Sequence, residues 1–441
     1  MATYYVAPGG SDSNNGTTLS TAWATIQHAA DTVPPGATVM VEGGSYAEND
    51  VITRSGTASQ PITFSGASGA DVQVLGFQIS ASYVVVEGFD ISSQVAGDSN
   101  PAGYGVYLNG SASYDTIANN DIHDLCEEGI FMEASVANNQ ILNNTINHAE
   151  MAGINIDGTA NVVEGNDVSH TSQYPANDGG IFAVCSARNG ADADWIRFFG
   201  QGHLIQNNNL HDIVEPSAEN INPHTDCFQT WGESTATVDN IVINANYCRG
   251  ESWYNSGGGT NHMGSIQDLD GPIGTIYFTN NIFADLYQGL LITINDPSHG
   301  PRNVYGNTVD HIGQEVLDYS GGATTSDIIA NNIFYDSGDG GDSFTTSTAP
   351  QFSANDCIMR SGSACGTYPA APPAGTLVEN PQFVNSGDST GSGADYQLQA
   401  ASPMIGAGIP TTTLPDGTVD YAGNARPQNG QWDIGAYEYL N

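Results

Sequence analysis

The chain has 441 residues and a formal net charge of −41 at pH 7, with 48 acidic residues, seven arginines and no lysine. Nucleic acids and anionic membranes bind proteins through basic patches, so this charge excludes both classes of partner. It also disfavours a polyanionic substrate, unless a divalent cation bridges the protein and its ligand. The 53 glycines and the low content of charged residues favour short strands and tight turns over long helices.

The N-terminal region predicts a cap. Residues 21–30 have the apolar spacing of a short helix, which would close the N-terminal end of a stack of strands. Met1 is followed directly by strand-like residues, as if a start codon had replaced an export signal. We therefore expect a secreted, extracellular protein.

One sequence motif recurs through the centre of the chain. It consists of an apolar residue, a spacer, two residues that are usually small or asparagine, a second spacer and a second apolar residue. Its second asparagine recurs every 22 to 26 residues, with three consecutive longer intervals of 35 to 42 residues. Stacked coils of strand, sharp bend and strand bury an apolar interior that no single coil could bury. Asparagine tolerates the left-handed bend, and its amide can hydrogen-bond to the asparagines above and below. These asparagines are Asn120, Asn144, Asn166, Asn208, Asn246, Asn281, Asn307 and Asn332.

The period predicts an all-β fold: a single-stranded right-handed parallel β-helix (a solenoid) with an N-terminal helix cap and long loops on one side. A propeller needs a longer period with four strands in each blade, and a sandwich has no fixed period. Glycine often opens the second strand of a coil, as at Gly129 and Gly153, and two early coils are expected to carry Phe77 and Phe89 at the bend.

We expect one domain over residues 1–441. It has a cap and first coil in 1–60, central coils in 61–337, and loop-rich coils with a second cap in 338–441, where residues 420–439 return to strand-like alternation. None of the six cysteines forms a CxxC pair, which argues against a zinc ribbon or a thioredoxin-type site. The separations predict two disulfides, which pair Cys227 with Cys248 and Cys357 with Cys365, and disulfides fit an oxidising compartment.

Three segments resemble the pectate-lyase-like superfamily of secreted β-helix proteins: residues 4–30, the first coil at 36–46, and the closing Asp433–Ile434–Gly435–Ala436–Tyr437–Glu438. The resemblance implies the fold and export. It implies no single chemistry, because this scaffold hosts lyases, hydrolases, epimerases and viral tailspikes. Many of the lyases use a lysine or arginine base with calcium, and no lysine exists here, so no catalytic residue is carried over. His224–Thr225–Asp226 also loosely resembles a strand of polygalacturonase-type hydrolases, whose paired aspartates and Gly-His-Gly motif are missing.

Polar residues are densest in the three longer coils, where inserted loops are expected to surround one part of the helix. If Cys227 and Ile266 both face inward, alternate residues of their strands face outward. Because stacked coils lie about 4.8 Å apart, Asp178 and Asp226 are expected within one or two coils of each other. That separation suits a catalytic carboxyl pair, with His224 on the same side to tune the acid or to act as a base.

Further residues on these coils are candidates for substrate and metal binding. Aromatic faces stack on sugar rings, and Trp195 lies on a flanking insert. Asp268 and Asp270 could contribute oxygen ligands to calcium, although their spacing is not that of an EF-hand. Glu127, Glu128 and the segment from Glu150 to Asp157 form a second acidic patch, interpreted as turn residues that could extend the groove. The predicted substrate-binding residues are Phe182, Arg249, Trp231, Trp253, Tyr254, His262 and Gln267.

These observations lead to three hypotheses for the function. The leading hypothesis is a secreted, monomeric glycoside hydrolase that cleaves a polysaccharide with Asp178, Asp226 and His224 and that requires no cofactor. The first alternative is a polysaccharide lyase or C5-epimerase, in which His224 or a tyrosine is the base and calcium or Arg249 neutralises the uronate. The second alternative is a non-catalytic glycan-binding or adhesion β-helix.

Overall fold

The computed structural model describes residues 2–93, 103–171, 193–212, 224–232, 237–250, 260–268, 271–293, 299–313, 316–320, 327–335, 344–346, 352–354, 357–360, 363–364, 376–386, 395–410, 415, 418–428 and 430–440. Among these, the residues up to Gly200 form one compact unit and those from Gln201 onward form a second. Parallel strands dominate both units, and the predicted right-handed parallel β-helix is confirmed. No helix within the described ranges is long and apolar enough to cross a membrane.

The first unit contains a 3₁₀ turn at Leu19–Thr21, helix α1 (Ile26–Thr32) and the following strands. They are β1 (Thr3–Val6), β2 (Thr38–Val41), β3 (Gly44–Ile52), β4 (Ile62–Gly66), β5 (Val72–Ile79), β6 (Val84–Glu87), β7 (Asp90–Ser92), β8 (Val106–Leu108), β9 (Thr116–Ala118), β10 (Asp121–Leu125), β11 (Ile130–Met132), β12 (Gln140–Leu142), β13 (Thr145–Ala149), β14 (Ile154–Ile156), β15 (Val162–Glu164), β16 (Asp167–Ser169) and β17 (Ile196–Phe198).

The strands of the second unit are β18 (Leu204–Gln206), β19 (Asn209–His211), β20 (His224–Asp226), β21 (Phe228–Trp231), β22 (Ile241–Asn244), β23 (Tyr247–Arg249), β24 (Thr260–Gln267), β25 (Ile276–Thr279), β26 (Ile282–Ala284), β27 (Gln288–Thr293), β28 (Arg302–Tyr305), β29 (Thr308–Asp310), β30 (Leu317–Ser320), β31 (Ile328–Ala330), β32 (Ile333–Tyr335), β33 (Phe344–Thr346), β34 (Phe352–Ala354), β35 (Cys357–Arg360), β36 (Ser363–Ala364), β37 (Phe383–Asn385) and β38 (Asp395–Leu398).

A regular coil contributes one strand to each of three parallel strips. In the first unit the strips are β1-β2-β4-β6-β9-β12-β15, then β7-β10-β13-β16, then β8-β11-β14-β17, while the long strand β5 pairs with both β7 and β8. In the second unit they are β18-β22-β25-β28-β31-β34, then β19-β23-β26-β29-β32-β35, then β24-β27-β30-β33, with β20 and β21 both paired to β24. The pairs β35–β36 and β37–β38 are antiparallel.

Side chains of one type stack along the interior of each strip. Ile122 is in register with Ile91 on one side and Ile146 on the other, and all three are fully buried. Burial of a large aliphatic side chain contributes roughly 1.5–3 kcal/mol. Each coil is therefore stabilised mainly by its neighbours, as expected for a solenoid.

The predicted asparagine ladder is confirmed. Asn143 adopts the left-handed conformation with φ of 54°, and the next residue, Asn144, points its buried amide along the stack. Asn144 Oδ1 accepts hydrogen bonds from the backbone N–H and the amide of Asn120, at 3.1 and 3.0 Å. Asn144 Nδ2 in turn donates to Asn166 Oδ1 at 3.0 Å. In the second unit the ladder runs through Asn208, Asn246, Asn281, Asn307 and Asn332.

Glycine is required where the third strand of a coil begins. A Cβ on Gly129 would lie 2.5 Å from the carbonyl oxygen of Gly153, and a Cβ on Gly153 would lie 2.3 Å from Val168 Cγ1. Both distances are far shorter than van der Waals contact. Close approach of neighbouring coils therefore explains the recurring glycine.

The helical cap is confirmed, although α1 begins at Ile26 and not at Thr21. Thr25 Oγ1 accepts a hydrogen bond from the His28 backbone N–H at 3.1 Å and so caps the first turn. The expectation of bends at both early phenylalanines is wrong for Phe77, which lies within β5. Phe89 does precede a strand at the corner, where its N–H donates to Asn120 Oδ1 at 3.1 Å.

The expected strand alternation at 420–439 is wrong, because the described residues 418–428 and 430–440 contain no strand. Polar contacts hold this segment instead. Arg426 and Glu438 form a buried ion pair at 3.1 Å, and Arg426 Nη2 donates to Gly435 O at 2.7 Å and to Asn280 Oδ1 at 3.2 Å. This ion pair and these hydrogen bonds hold residues 433–438 against the coils of the second unit.

Candidate functional site

The first unit carries a cluster of acidic and aromatic residues that we call the acidic cleft. It comprises carboxyl groups from the turns that follow the β10 and β13 strands and precede β17, together with the side chains of one row on β8, β11, β14 and β17. Its members are Tyr104, Glu127, Glu128, Glu150 and Asp194 in or beside the turns, and Tyr107, Phe131, Asn155 and Arg197 in the row.

Strand register generates the row. Phe131 is in register with Tyr107 on one side and Asn155 on the other, and Asn155 is in register with Arg197. Each of the four side chains comes from a different coil, so the row runs along the stack. Neighbouring parallel strands are about 4.8 Å apart, which makes the row long enough to follow several sugar units.

Backbone bonds place two carboxyl groups at equivalent positions. The Gly129 N–H donates to Ala152 O at 3.0 Å, and the Gly153 N–H donates to Asp194 O at 3.0 Å. Glu128, Ala152 and Asp194 therefore occupy the same place in three successive coils. The backbones of Glu128 and Asp194 are separated by two strand spacings, about 10 Å.

The surroundings of these two carboxyl groups differ in charge. Glu128 is buried and accepts a hydrogen bond from the Asn155 amide at 3.3 Å. Burial raises the pKa of Glu128, and the Asn155 hydrogen bond and the more distant Arg197 charge oppose this shift only in part. Asp194 Oδ2, in contrast, accepts bonds from Arg197 Nε at 3.0 Å and Nη2 at 2.9 Å, a contact that favours a charged carboxylate.

Glu150 contributes a further buried carboxyl group, from the turn between β13 and β14. Its side chain is 3% exposed, and neither carboxyl oxygen has a hydrogen-bond partner among the described residues. Burial, followed by the charge of Glu127, raises the pKa of Glu150 to about 8. Glu127 is buried as well. The turns therefore hold several carboxyl groups in a space with little water.

Three aromatic rings lie beside these acids. The ring centroids of Tyr104 and Phe131 are 5.1 Å apart, and those of Tyr107 and Phe131 are 5.6 Å apart at an interplanar angle of 18°. Tyr107 and Phe131 are partly exposed, whereas Tyr104 is buried. The Tyr107 hydroxyl is hydrogen-bonded to the Glu133 carboxylate. These rings offer an accessible apolar surface next to buried acids, an arrangement suited to a sugar ring.

In the second unit the structure brings together two of the predicted site residues. Asp226 on β20 is in register with His262 on β24, and Asp226 Oδ1 lies 2.7 Å from His262 Nδ1. The expectation that Asp226 faces outward into an open groove is wrong, since Asp226 is 0% exposed and His262 2% exposed. The carboxylate instead orients the imidazole of the next coil.

The strand alignment behind that expectation is wrong as well. Ile266 is in register with Thr230 and not with Cys227. Asp226 pairs with His262 and Thr230 pairs with Ile266 at one constant offset, so the position opposite Cys227 lies three residues before Ile266. Cys227 forms the predicted disulfide with Cys248, which fastens this segment to β23.

The other predicted residues are dispersed. Arg249 pairs with Asp212 at 3.4 Å. Trp231 and Gln267 are partly exposed and in register with each other. Trp195 is fully buried in the first unit, so its expected role in stacking on sugar is wrong. Strand β20 includes His224, and five predicted residues and one cysteine lie outside the described residues: Asp178, Phe182, Trp253, Tyr254, Asp270 and Cys365.

The described residues do not build the expected calcium site. Asp268 is buried, its predicted partner Asp270 is outside the described ranges, and no three His, Cys, Asp or Glu side chains in the described part of the chain could hold a metal ion together.

Sequence reasoning noticed the acidic turns but interpreted them as ordinary turn residues. It missed Asn155 and Arg197. Asn155 binds Glu128 and Arg197 binds Asp194, so the two carboxyl groups have different surroundings. One signal was available, since Arg197 is one of only seven cationic side chains and follows Asp194 by three residues. The sequence did not show which coils are neighbours, so it gave no reason to place Arg197 near Glu128.

Comparison with known proteins supports the fold. Residues 4–211 match the family described as the Pel9A-like, right-handed β-helix region. A curated relative, the uncharacterized protein YwoF of Bacillus subtilis (strain 168), is 30% identical over 134 residues, which are 27% of this chain and 28% of that protein. The chain thus matches little more than a quarter of the length of this relative.

Solved structures extend the likeness over the whole chain. Pectate lyase Pel9A has a TM-score of 0.53 and 18% identity, covering 99% of this chain and 96% of its own. The complex of XylC with xylose has a TM-score of 0.59 and 12% identity, covering 100% and 98%. The alginate lyase AlyGC of family PL6 has a TM-score of 0.51 and 14% identity, covering 82% and 48%. At these identities the likeness concerns the fold: the chain shares the right-handed parallel β-helix of these structures, and its residues 4–211 are similar to the Pel9A-like β-helix region.

Proposed function

We propose that this protein is a secreted carbohydrate-active enzyme that cleaves a polysaccharide by hydrolysis in the acidic cleft. The observation that carries the proposal is the pair of carboxyl groups in opposite surroundings: Glu128, buried beside an amide, and Asp194, bound by a guanidinium. Glycoside hydrolysis needs one carboxyl group that holds a proton and one that is ionised.

Each carboxyl group has a defined role in this reaction. Glu128, whose pKa is raised by burial, acts as the acid and donates a proton to the glycosidic oxygen as the bond to the anomeric carbon breaks. Asp194, kept ionised by Arg197, accepts a proton from the water whose oxygen bonds to the same carbon. Side chains on backbones about 10 Å apart can converge to the separation of roughly 6.5–9.5 Å at which water fits between the acid and the base. The proposal therefore predicts inversion at the anomeric carbon.

The aromatic rings of the cleft supply substrate binding. Tyr107 and Phe131 are partly exposed beside the acids, and a sugar ring packed on them would bring its glycosidic oxygen toward Glu128. Among the described residues the cleft has a single arginine, already bound to Asp194, so these residues offer little neutralisation for a uronate. A substrate without carboxylates is consistent with this charge, and the likeness to a protein solved with bound xylose supports a carbohydrate substrate.

Export is part of the proposal. The Cys227–Cys248 disulfide fits an oxidising compartment outside the cytoplasm. The proposed substrate is also a polymer that is degraded outside cells.

The Asp226–His262 pair in the second unit supports a second candidate function, the β-elimination or C5-epimerisation of a uronan. Asp226 holds His262 Nδ1 at 2.7 Å, and an imidazole oriented in this way can remove a proton through its other nitrogen. Burial does not separate the two candidates, since Glu128 and Asp194 are 4% and 0% exposed; we rank this one second because only the acidic cleft combines two carboxyl groups in different surroundings with partly exposed aromatic rings. The predicted partnership of Asp226 with Asp178 and His224 remains a prediction.

Product analysis on a panel of neutral and uronic polysaccharides tests both candidates. Hydrolysis releases reducing ends without ultraviolet absorbance, whereas elimination creates an absorbing unsaturated sugar. We expect Glu128→Gln to lower kcat by about 10²–10⁴-fold, the usual contribution of a general acid. Asp194→Asn should lower it too, while Glu87→Gln, on the partly exposed face of β6, serves as the matched control.

The variants also separate the two sites. If Asp226→Asn or His262→Gln abolishes product formation and Glu128→Gln leaves it intact, the reaction belongs to the second unit and our assignment is wrong. Binding of a glycan with no product of either kind would instead support a non-catalytic adhesion protein. Circular dichroism and thermal unfolding of each variant must match those of the parent protein before its activity is interpreted.

A further inference from the structure

Glu150 lies in the acidic cleft but has no role in the proposed hydrolysis. Glu150 is 3% exposed, and both of its carboxyl oxygens are buried without a hydrogen-bond partner among the described residues. Glu128, by comparison, accepts a bond from Asn155. A buried carboxyl group without donors is unfavourable. A ligand bound against these turns could supply the missing donor.

The groups around Glu150 restrict the kind of ligand. Glu127 and Glu128 lie in the equivalent turn of the preceding coil, and Asp194 lies in that of the following coil, where it binds Arg197. Glu127 is the charged group that acts on Glu150, and its negative charge favours a donor that carries positive charge. The described residues provide no group of three ligands for a metal ion. An ammonium group needs acceptors but no fixed coordination geometry, and it has three N–H donors.

We propose that the acidic cleft binds an amino-sugar polymer with free amino groups, and that Glu150, assisted by Glu127, accepts hydrogen bonds from one sugar ammonium. This inference rests on the proposed function, since a sugar amine reaches Glu150 only if the glycan lies in the cleft. Tyr107 and Phe131 would pack against the sugar ring next to the amine. The net charge of −41 would attract a polycation over a long range, which raises the association rate.

Binding of an ammonium group must displace a proton. Burial and Glu127 raise the pKa of Glu150 to about 8, so at pH 6 the free protein holds a proton on this carboxyl group. An adjacent ammonium favours the carboxylate, and the proton leaves to the buffer as the complex forms. Charge balances, because the site loses H⁺ and gains one positive charge from the ligand.

Calorimetric titration with a glucosamine oligomer and with its N-acetylated counterpart tests the inference at pH 6. The titrations use Glu128→Gln, so that cleavage does not contribute heat. We expect the free amine to bind about tenfold or more tightly than the N-acetylated oligomer, the ratio that one charge-assisted hydrogen bond provides. In buffers of different ionisation enthalpy, the amine should release close to one proton and the N-acetylated oligomer none.

Glu150→Gln in the same background should remove both the affinity ratio and the proton release. Equal affinity for the two oligomers would overturn the inference, and so would an amine preference that survives Glu150→Gln. If Glu150→Gln does not fold, the proton release of the parent background still decides, because its absence contradicts a carboxyl group that ionises on binding. Failure here leaves hydrolysis of other glycans measurable by reducing ends, so the two proposals fail separately.

Discussion

Replacing Asp115 with asparagine should stabilise this protein at alkaline pH and have little effect at acid pH. A second ladder passes through this residue in the first unit: the Asn139 N–H donates to Asn161 Oδ1 at 2.8 Å, and the Asp115 N–H donates to Asn139 Oδ1 at 2.9 Å. Asp115 Oδ1 accepts from the Val84 N–H at 2.7 Å. Its other oxygen is buried without a hydrogen-bond partner among the described residues. An asparagine would keep the acceptor and remove the charge.

The size of the effect follows from the pKa. Burial, only partly offset by the backbone hydrogen bonds from Val84 and Ser113, raises the pKa of Asp115 from 3.8 to about 7. The folded state therefore binds a proton more tightly than the unfolded state. Stability falls as pH rises from about 4, and the loss is complete above about pH 7. Each pKa unit corresponds to about 1.4 kcal/mol, so a shift of this size gives a penalty of about 2–4 kcal/mol once structural relaxation is allowed for.

Urea denaturation of the parent protein and Asp115→Asn at pH 4 and pH 8 measures this penalty. We expect free energies of unfolding within about 1 kcal/mol of each other at pH 4, and an advantage of about 2–4 kcal/mol for the variant at pH 8. Asn139→Asp is the reciprocal control and should lose stability between the same pH values. An equal difference at both pH values would show that Asp115 is not protonated in the folded protein, and the argument from burial would be refuted.

Three further substitutions test the packing of the coils by thermal and urea unfolding. Asn144→Ala should cost about 2–4 kcal/mol, because it leaves buried backbone groups of adjacent coils without partners; an effect below 1 kcal/mol would contradict this. Gly153→Ala should cost at least about 2 kcal/mol, since its Cβ would overlap Val168, and an unchanged Tm would disprove the close contact. Cys248→Ser, which opens the 21-residue loop to Cys227, should cost about 3 kcal/mol; a parent protein equally stable under reducing conditions would argue against the disulfide.

The sequence was sufficient to predict the fold because the coil repeats. Asn120, Asn144 and Asn166 recur at nearly constant spacing, and one physical cause explains each of them: a left-handed corner beside a buried amide ladder. A separation close to one coil predicted the Cys227–Cys248 disulfide, although the structure places the two cysteines on different strips, with Cys248 in register with Leu210. Periodic, local information of this kind is present in the order of the residues.

Prediction failed where the repeat is interrupted. Ile266 pairs with Thr230 and not with Cys227, because the inserts between these coils vary in length, so spacing along the chain does not fix the register, and the register decides which side chains are neighbours. Asp226 consequently lies against His262 in a buried pair.

Only the tertiary structure decided which acids form a site. Glu128, Glu150 and Asp194 have similar chemistry in the sequence, yet one is bonded to Asn155, one lacks a donor among the described residues, and one is held by Arg197. The hydrogen bond between Asn155 and Glu128 joins two coils, and the position of Asp194 relative to Glu128 depends on how the coils stack, so spacing along the chain does not encode the arrangement. The ionisation state of each carboxyl group, and with it the proposed chemistry, depends on burial and on the nearest charge, and both arise only when the coils stack.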